Sequence, residues 1–177
     1  MRIQNLNGKW TVSHVGSDLS VPARVPGEVM TDLLRAKQIP DPFYRENEEC
    51  VQWVGESDWV YEREFNVSAA LLRETAVTLE CDGLDTFAEV ELNGKAVAKT
   101  VNMHQRFAWD VKPLLQPGRN AIRVTFRSVN EYTRRRNRGL PIRSQAGGCH
   151  PHAYPAWIRK QGCNFGFGCN CESLVHR

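Results

Sequence analysis

Hydrophobic and polar residues alternate between Gly83 and Leu92. Leu84, Thr86, Ala88, Val90 and Leu92 hold the even positions, and Asp85, Phe87, Glu89 and Glu91 the odd ones. Successive side chains of a strand point to opposite faces, so this stretch predicts a strand with one face buried and one wet. Asn93-Gly94 then offers two residues that tolerate the positive φ of a tight hairpin. The same period returns at Tyr61, Arg63, Phe65 and Val67, at Val77, Leu79 and Cys81, at Phe107 and Trp109, and at Ile122, Val124 and Phe126. Leu6-Asn7-Gly8-Lys9-Trp10-Thr11-Val12 predicts a turn and a short strand. Val21-Pro22 and Val25-Pro26 hold the next stretch extended, because a residue before proline avoids the helical region. Seven or eight short strands at regular spacing predict an all-β fold, a β-sandwich or jelly roll.

One short helix is expected near residues 27–37. Val29, Met30, Leu33 and Leu34 fall at helical spacing, Glu28 sits where the helix dipole favours it, and Pro40 and Pro42 end the run. Asp41 to Glu49 is expected to be a polar loop. The hairpin at Asn93-Gly94 poses a conflict. With those two residues as the loop, Leu92 faces Lys95, Val90 faces Val97 and Ala88 faces Lys99, which sets two lysines on the apolar face. Either a bulge shifts the register, or the returning strand is an edge whose lysines reach out to water.

At 177 residues, 41% hydrophobic and 24% charged, the chain suits one soluble globular domain with its own core. No apolar run approaches the roughly 20 residues that cross a bilayer, and no membrane partner is expected. The start, Met1-Arg2-Ile3-Gln4-Asn5-Leu6-Asn7, lacks the apolar core of a signal peptide, which predicts a cytoplasmic protein. Asn66-Val67-Ser68 is then a glycosylation sequon in form only. The net charge of +3 hides an asymmetry: residues 1–126 sum to −4 and residues 127–177 to +7. Four of the six cysteines and three of the five histidines also fall after residue 148. This predicts a folded sandwich followed by an irregular basic connection over about residues 128–157.

Candidate chemistry is sparse. Asn47-Glu48-Glu49 places two carboxylates side by side, but nothing in the sequence predicts the burial that would set their pKa values apart for acid/base work. Cys149, His150, His152, Cys163, Cys169, Cys171 and His176 are ligand-rich, yet their spacings match no usual zinc site, so free thiols and no metal are expected. Arg134-Arg135-Arg136-Asn137-Arg138, with Arg127 and Arg143, could bind anions or nucleic acid; without interleaved aromatics they predict a solvated loop and no nucleic-acid partner. Trp10, Trp53, Trp59, Trp109 and Trp157 could stack on sugars, but a small sandwich needs large aromatics in its packing.

The order of short motifs resembles a known family. Leu6-Asn7-Gly8-Lys9-Trp10, Val25-Pro26-Gly27, Ile39-Pro40-Asp41-Pro42-Phe43-Tyr44 with Asn47-Glu48, Trp53-Val54 and Asp58-Trp59-Val60-Tyr61 come first. Gly83-Leu84-Asp85-Thr86, Leu92-Asn93-Gly94, Asn102-Met103-His104, and Ile158-Arg159-Lys160-Gln161 leading to Asn164-Phe165-Gly166 follow. The series is similar to the N-terminal domain of β-mannosidases of glycoside hydrolase family 2. That resemblance implies a jelly-roll β-sandwich resembling galactose-binding domains over residues 1–166. In the family it is followed by immunoglobulin-like domains and a TIM barrel. The family hydrolyses terminal non-reducing β-D-mannose with retention, through two barrel glutamates about 5–5.5 Å apart.

This sequence stops short of such a barrel. No catalytic residue and no cofactor is assigned, and the chain alone is expected to be inactive. Its implied partners are a β-mannoside, bound through the barrel, and further domains of a longer polypeptide. After Phe-Gly the family carries Trp-Asp-Trp-Gly-Pro on a loop that reaches the sugar pocket. Here Phe167-Gly168-Cys169-Asn170-Cys171 stands instead, keeping an aromatic at Phe167, the one substrate-binding candidate, and replacing the acid with Gly168. Residues 167–177 form a tail unlike the family, which predicts a truncated or frame-shifted end. The alternatives are a stand-alone carbohydrate-binding module and an anion or nucleic-acid binder acting through Arg134–Arg138.

Overall fold

The computed structural model describes residues 2–136. Within them lie β1 (Gly8–His14), β2 (Ser20–Val25), α1 (Val29–Arg35), α2 (Asn47–Cys50), α3 (Gln52–Glu56), β3 (Trp59–Val67) and α4 (Ala69–Leu72). β4 (Thr78–Cys81), β5 (Phe87–Leu92), β6 (Lys95–Thr100), β7 (Phe107–Asp110), a 3-10 turn (Lys112–Leu114), β8 (Gly118–Arg127) and α5 (Val129–Arg136) follow. Six strands form one antiparallel sheet in the order β2-β1-β3-β8-β5-β6, and β4 and β7 pair as a second. The expected all-β sandwich is found.

The large sheet buries one face beneath two different covers. Over β2, β1 and β3 lie α1 and the run from Ile39 to Val54, so that Leu33, Ile39, Val51 and Val54 pack with Val12, Val21, Ala23, Trp59 and Tyr61. Over β8, β5 and β6 lie β4 and β7, which set Leu79, Cys81, Phe107 and Trp109 against Ala88, Val90, Leu92, Ile122 and Val124. Trp10 and Phe126 touch both clusters and join them into one core. Gly27 is where α1 leaves β2: a Cβ there would lie 2.2 Å from the Arg24 carbonyl oxygen, so no other residue fits.

Of the strand expected from Gly83 to Leu92 only Phe87–Leu92 forms, as β5. Residues 83–86 lead into it outside the sheet, yet the alternation holds throughout, with Leu84, Thr86, Ala88, Val90 and Leu92 all buried. The hairpin conflict is resolved by both devices. Leu92 faces Lys95 and Glu91 faces Ala96, but the register then shifts between Val90 and Glu91, so that Val90 faces Ala98 and Ala88 faces Thr100. The bulge turns Lys99 to the wet face, where its Nζ lies 2.8 Å from Glu89 Oε1. β6 is also a sheet edge.

Two expectations are corrected. The helix near residues 27–37 is present as α1, but it is not the only one. The supposed polar loop at Asp41–Glu49 closes into α2 and continues into α3, because Val51 and Val54 must reach the core and Asn47 Nδ2 ties back to the Asp41 carbonyl at 2.8 Å. The supposed irregular connection from about residue 128 opens as α5. Ser128 Oγ caps it by accepting from the Glu131 N–H at 3.1 Å, and Glu131 holds Arg134 and Arg135 one turn on. The remainder of that connection lies outside the described residues.

Cys81 sits half-buried on the inner face of β4. Burial, helped by the neighbouring Asp82 charge, pushes its thiol up to about 11 from an ordinary value near 9. A folded value above the unfolded one means the stabilisation is complete below pH ~9 and is lost as pH rises toward 11. In urea titrations, wild type is therefore expected to lose more stability over this window than Cys81→Ala. Equal slopes for the two proteins would reject the assignment.

Candidate functional site

One end of the large sheet gathers the loops. Here β1, β6 and β8 end and β2, β3 and β5 begin. The end is built on Asp58, which accepts from the Ser128 N–H at 2.7 Å and from Arg127 Nη1 at 2.9 Å. Arg127 Nη2 reaches Glu89 Oε2 at 2.8 Å. These hydrogen bonds hold the Arg127 guanidinium above its ordinary value, and those from Lys99 and Arg127 hold the Glu89 carboxyl below its own.

α5 closes over this end. Ser128 Oγ donates to the Gly55 carbonyl at 2.7 Å, Arg134 Nη2 pairs with Glu56 at 2.5 Å, and the Tyr132 ring lies 4.3 Å from that of Phe87. Beneath α3, Trp59 Nε1 donates to the Val54 carbonyl, and His14 packs edge-on to Trp53 and Trp59. Val15, Val101 and Tyr132 remain exposed at this end, and Phe43 and Tyr44 are exposed on the loop that feeds α2.

The opposite, wet face of the large sheet forms a shallow trough of about 700 Å³ lined by Lys9, Thr11, Ser13, Glu62, Glu64 and Arg123 among others. Its charges are largely matched: Glu62 lies 3.6 Å from Arg123, and Glu64 accepts from Arg119. That hydrogen bond lowers the Glu64 pKa.

The placement of the candidate residues narrows what this domain can do. Glu48 and Glu49 are on α2 at the surface. Every carboxyl group displaced from its ordinary value among the described residues, at Glu64, Glu89 and Glu131, is displaced downward by an arginine or lysine hydrogen bond. A general acid needs the opposite shift. Arg134 and Arg135 are paired with acids on or beside their own helix. Trp59 is buried and Trp10, Trp53 and Trp109 pack against the core, so none of the four is a free sugar platform. Phe167, Trp157, Arg138, Arg143 and the Cys/His series from Cys149 to His176 lie outside the described residues. Among the described residues no cluster of three His, Cys, Asp or Glu could hold a metal ion, and no helix is long and apolar enough to cross a membrane.

Sequence patterns missed α5 and the anchor at Asp58. The signal was present in Ser128-Val129-Asn130-Glu131, a capping box followed by arginines three and four residues beyond the glutamate.

A six-stranded sheet closed on one face by a shorter strand pair and short helices defines a galactose-binding-like β-sandwich. Comparison with known proteins makes this specific. The family described as "Glycosyl hydrolase 2 galactose-binding domain-like" matches residues 10–173, and the chain belongs to it. The match runs past Gly166, into the tail. β-Mannosidase of Rattus norvegicus is 32% identical over 170 residues, covering 91% of this chain and 19% of its own length. β-Mannosidase A of Emericella nidulans is 35% identical over 123 residues, covering 68% of this chain and 13% of its own. The crystal structure of β-D-mannosidase from Dictyoglomus thermophilum superposes with a TM-score of 0.76 at 39% identity, covering 80% of this chain and 18% of that one. The chain thus spans about a fifth of the length of these relatives and corresponds to their N-terminal portion.

Proposed function

We propose that this domain is the non-catalytic N-terminal part of a β-mannoside-hydrolysing protein of glycoside hydrolase family 2, and that it serves as the scaffold against which the catalytic part is held. The carrying observation is the likeness to the D. thermophilum β-D-mannosidase, high in sequence as well as in shape. The downward-shifted carboxyls agree with it, because they make ion pairs rather than acid/base chemistry. In this reading the substrate is a terminal non-reducing β-D-mannoside, the further domains of the longer polypeptide are the packing partners, and Phe167 keeps the family's aromatic position toward the sugar.

A domain exchange tests it. Residues 2–136 are placed in the D. thermophilum enzyme in place of their counterpart, and the chimera is assayed with an aryl β-mannoside beside the 177-residue chain alone. The chimera is expected to turn over within about tenfold of its parent, a loss of roughly 1.4 kcal/mol or less in transition-state stabilisation. The lone chain is expected to show no turnover above background. A folded but inactive chimera, or hydrolysis by the lone chain that persists through purification, would overturn the proposal.

A further inference from the structure

Phe43 and Tyr44 stand next to each other in water, 61% and 56% exposed. The run that carries them reaches the core by other residues. Ile39, Pro42, Val51 and Val54 are buried and Trp53 packs against the same cluster, so the core is filled without the two aromatics. The backbone beneath them is nevertheless fixed. Asp41 Oδ1 accepts from the Phe43 N–H at 3.0 Å, and the Asp41 carbonyl accepts from the Tyr44 N–H at 3.1 Å and from Asn47 Nδ2 at 2.8 Å. The Tyr44 carbonyl accepts from the Asn47 N–H at 3.2 Å, and Arg45 between them is held at a φ of 54°. Exposed aromatics on a backbone already ordered lose little further freedom when something covers them, which favours binding. Phe, Tyr and Arg are also the residues that contacts between proteins select.

Charge and geometry narrow what covers them. Residues 41–49 carry Asp41, Glu46, Glu48 and Glu49 against Arg45 alone, a net charge of −3. An anionic membrane surface repels that charge. A second copy meeting it across a two-fold axis would set the same acidic stretch against itself. A sugar ring needs an open aromatic face, and the Arg45 guanidinium already lies 5.0 Å from the centre of the Tyr44 ring.

Another part of the same polypeptide meets none of these objections. The chain covers 19% of the R. norvegicus β-mannosidase and 18% of the D. thermophilum one, so about four-fifths of each lies outside this domain. A covalent tether holds such a neighbour at an effective concentration on the order of millimolar, which a separate molecule in dilute solution does not match.

We propose that Phe43 and Tyr44 are a docking contact between this domain and the catalytic part of its polypeptide. The inference rests on the scaffold function proposed above and adds to it the residues that make the contact. The turn from Asp41 to Asn47 is then a rigid mount, and the two aromatics are what it presents.

The chimera of residues 2–136 with the D. thermophilum enzyme carries the test. p-Benzoylphenylalanine is placed at Phe43, the protein is irradiated, and the links are mapped by mass spectrometry. Links to the catalytic part, within one polypeptide, are expected, and few or none from the same probe at Thr11 on the wet face of the sheet. Phe43→Ser with Tyr44→Ser is expected to speed heat inactivation of the chimera about tenfold, while the urea midpoint of the 177-residue chain stays unchanged. An active chimera in which position 43 links no better than position 11, or in which the double variant changes nothing, would overturn the inference and leave the scaffold function standing. Links joining two polypeptides would give the contact to a second copy, and links lost on adding excess β-mannoside would give it to the sugar; either overturns the inference. A lowered midpoint in the lone chain would return the two aromatics to the domain's own packing, with the same consequence. A chimera inactive with Phe43 and Tyr44 in place rejects the scaffold function itself, and the docking contact with it.

Discussion

Replacing Asp32 by alanine is expected to lower folding stability by about 3 kcal/mol, one of the two largest effects anticipated for a single substitution. Asp32 lies on α1 and is 1% exposed, yet it is a carboxylate. Its Oδ1 accepts from the Arg24 N–H at 3.2 Å and from Arg35 Nη1 at 2.9 Å, and its Oδ2 accepts from the Tyr61 hydroxyl at 3.1 Å. One side chain thereby ties α1 to β2 and to β3, across the cover of the first core cluster. Alanine leaves the buried Tyr61 hydroxyl and the Arg24 amide without these acceptors, and an unsatisfied buried polar group costs about 1–3 kcal/mol. The Arg35 contact adds little, because its side chain is 57% exposed and turns to water.

The coupling has a signature of its own. Burial first, and the Asp32 charge second, hold the Tyr61 hydroxyl well above its ordinary value, so it stays protonated as a donor through the neutral range. Tyr61→Phe alone is expected to cost about 1 kcal/mol, and the double variant distinctly less than the sum of the two. Urea unfolding measures this as a shift in midpoint at constant m. A single-variant loss below about 1 kcal/mol, or strict additivity of the pair, would show that Asp32 does not bridge the elements.

How much of this was legible in the sequence differs by element. The strand β5, Phe87 to Leu92, announced itself because a sheet face is buried as a unit, and its alternation survives any detail of what covers it. The same pattern overran its start, since Leu84 and Thr86 are buried without being in the sheet. Even the bulge was foreshadowed, since Lys99 opposite Ala88 is untenable on an apolar face. The cover itself was not legible. Over β2, β1 and β3 it consists of short helical turns, and Asp41–Glu56 has too few apolar residues to show a period; Val51 and Val54 identify themselves only when Trp59 and Leu33 are seen beside them. Asp32 was equally silent, because a carboxylate on an amphipathic helix looks like solvent-facing polarity until Tyr61 arrives from a distant strand. The basic run at Arg134–Arg138 reads as a solvated loop rather than an anion site; what the sequence does not show is that its first residues lie on a helix and that the acids facing them, Glu56 and Glu131, are supplied from within the fold. The candidate site followed the same rule. The family resemblance named the mannosidase branch from short motifs, yet motifs among the described residues, such as Asp58-Trp59-Val60-Tyr61 and Leu92-Asn93-Gly94, hold scaffold positions.

Asn93 shows this most clearly, and Asn93→Ala is the second large effect, also about 3 kcal/mol. The residue reads as half of a hairpin turn, and its φ of 52° with 74° at Gly94 is the left-handed geometry such a turn needs. Its side chain does more. Nδ2 donates at 2.8 Å both to the Leu114 carbonyl and to Asn120 Oδ1, while Oδ1 accepts from the Ala121 N–H at 2.9 Å. Asn120 is 1% exposed, and its own Nδ2 donates to the carbonyls of Gln116 and Gly118. The pair therefore joins the β5–β6 hairpin, the start of β8 and the chain after the 3-10 turn. Alanine removes three hydrogen bonds and places a Cβ-bearing residue without Asn's local compensation in the left-handed region, a backbone cost of about 1 kcal/mol. Glycine separates the two contributions. Asn93→Gly is expected to recover about that 1 kcal/mol and no more, because the hydrogen bonds remain lost. Equal stability for the glycine variant and wild type would reduce Asn93 to a turn residue. A glycine variant no better than alanine would mean that the side-chain clamp alone sets the stability of this end of the sandwich.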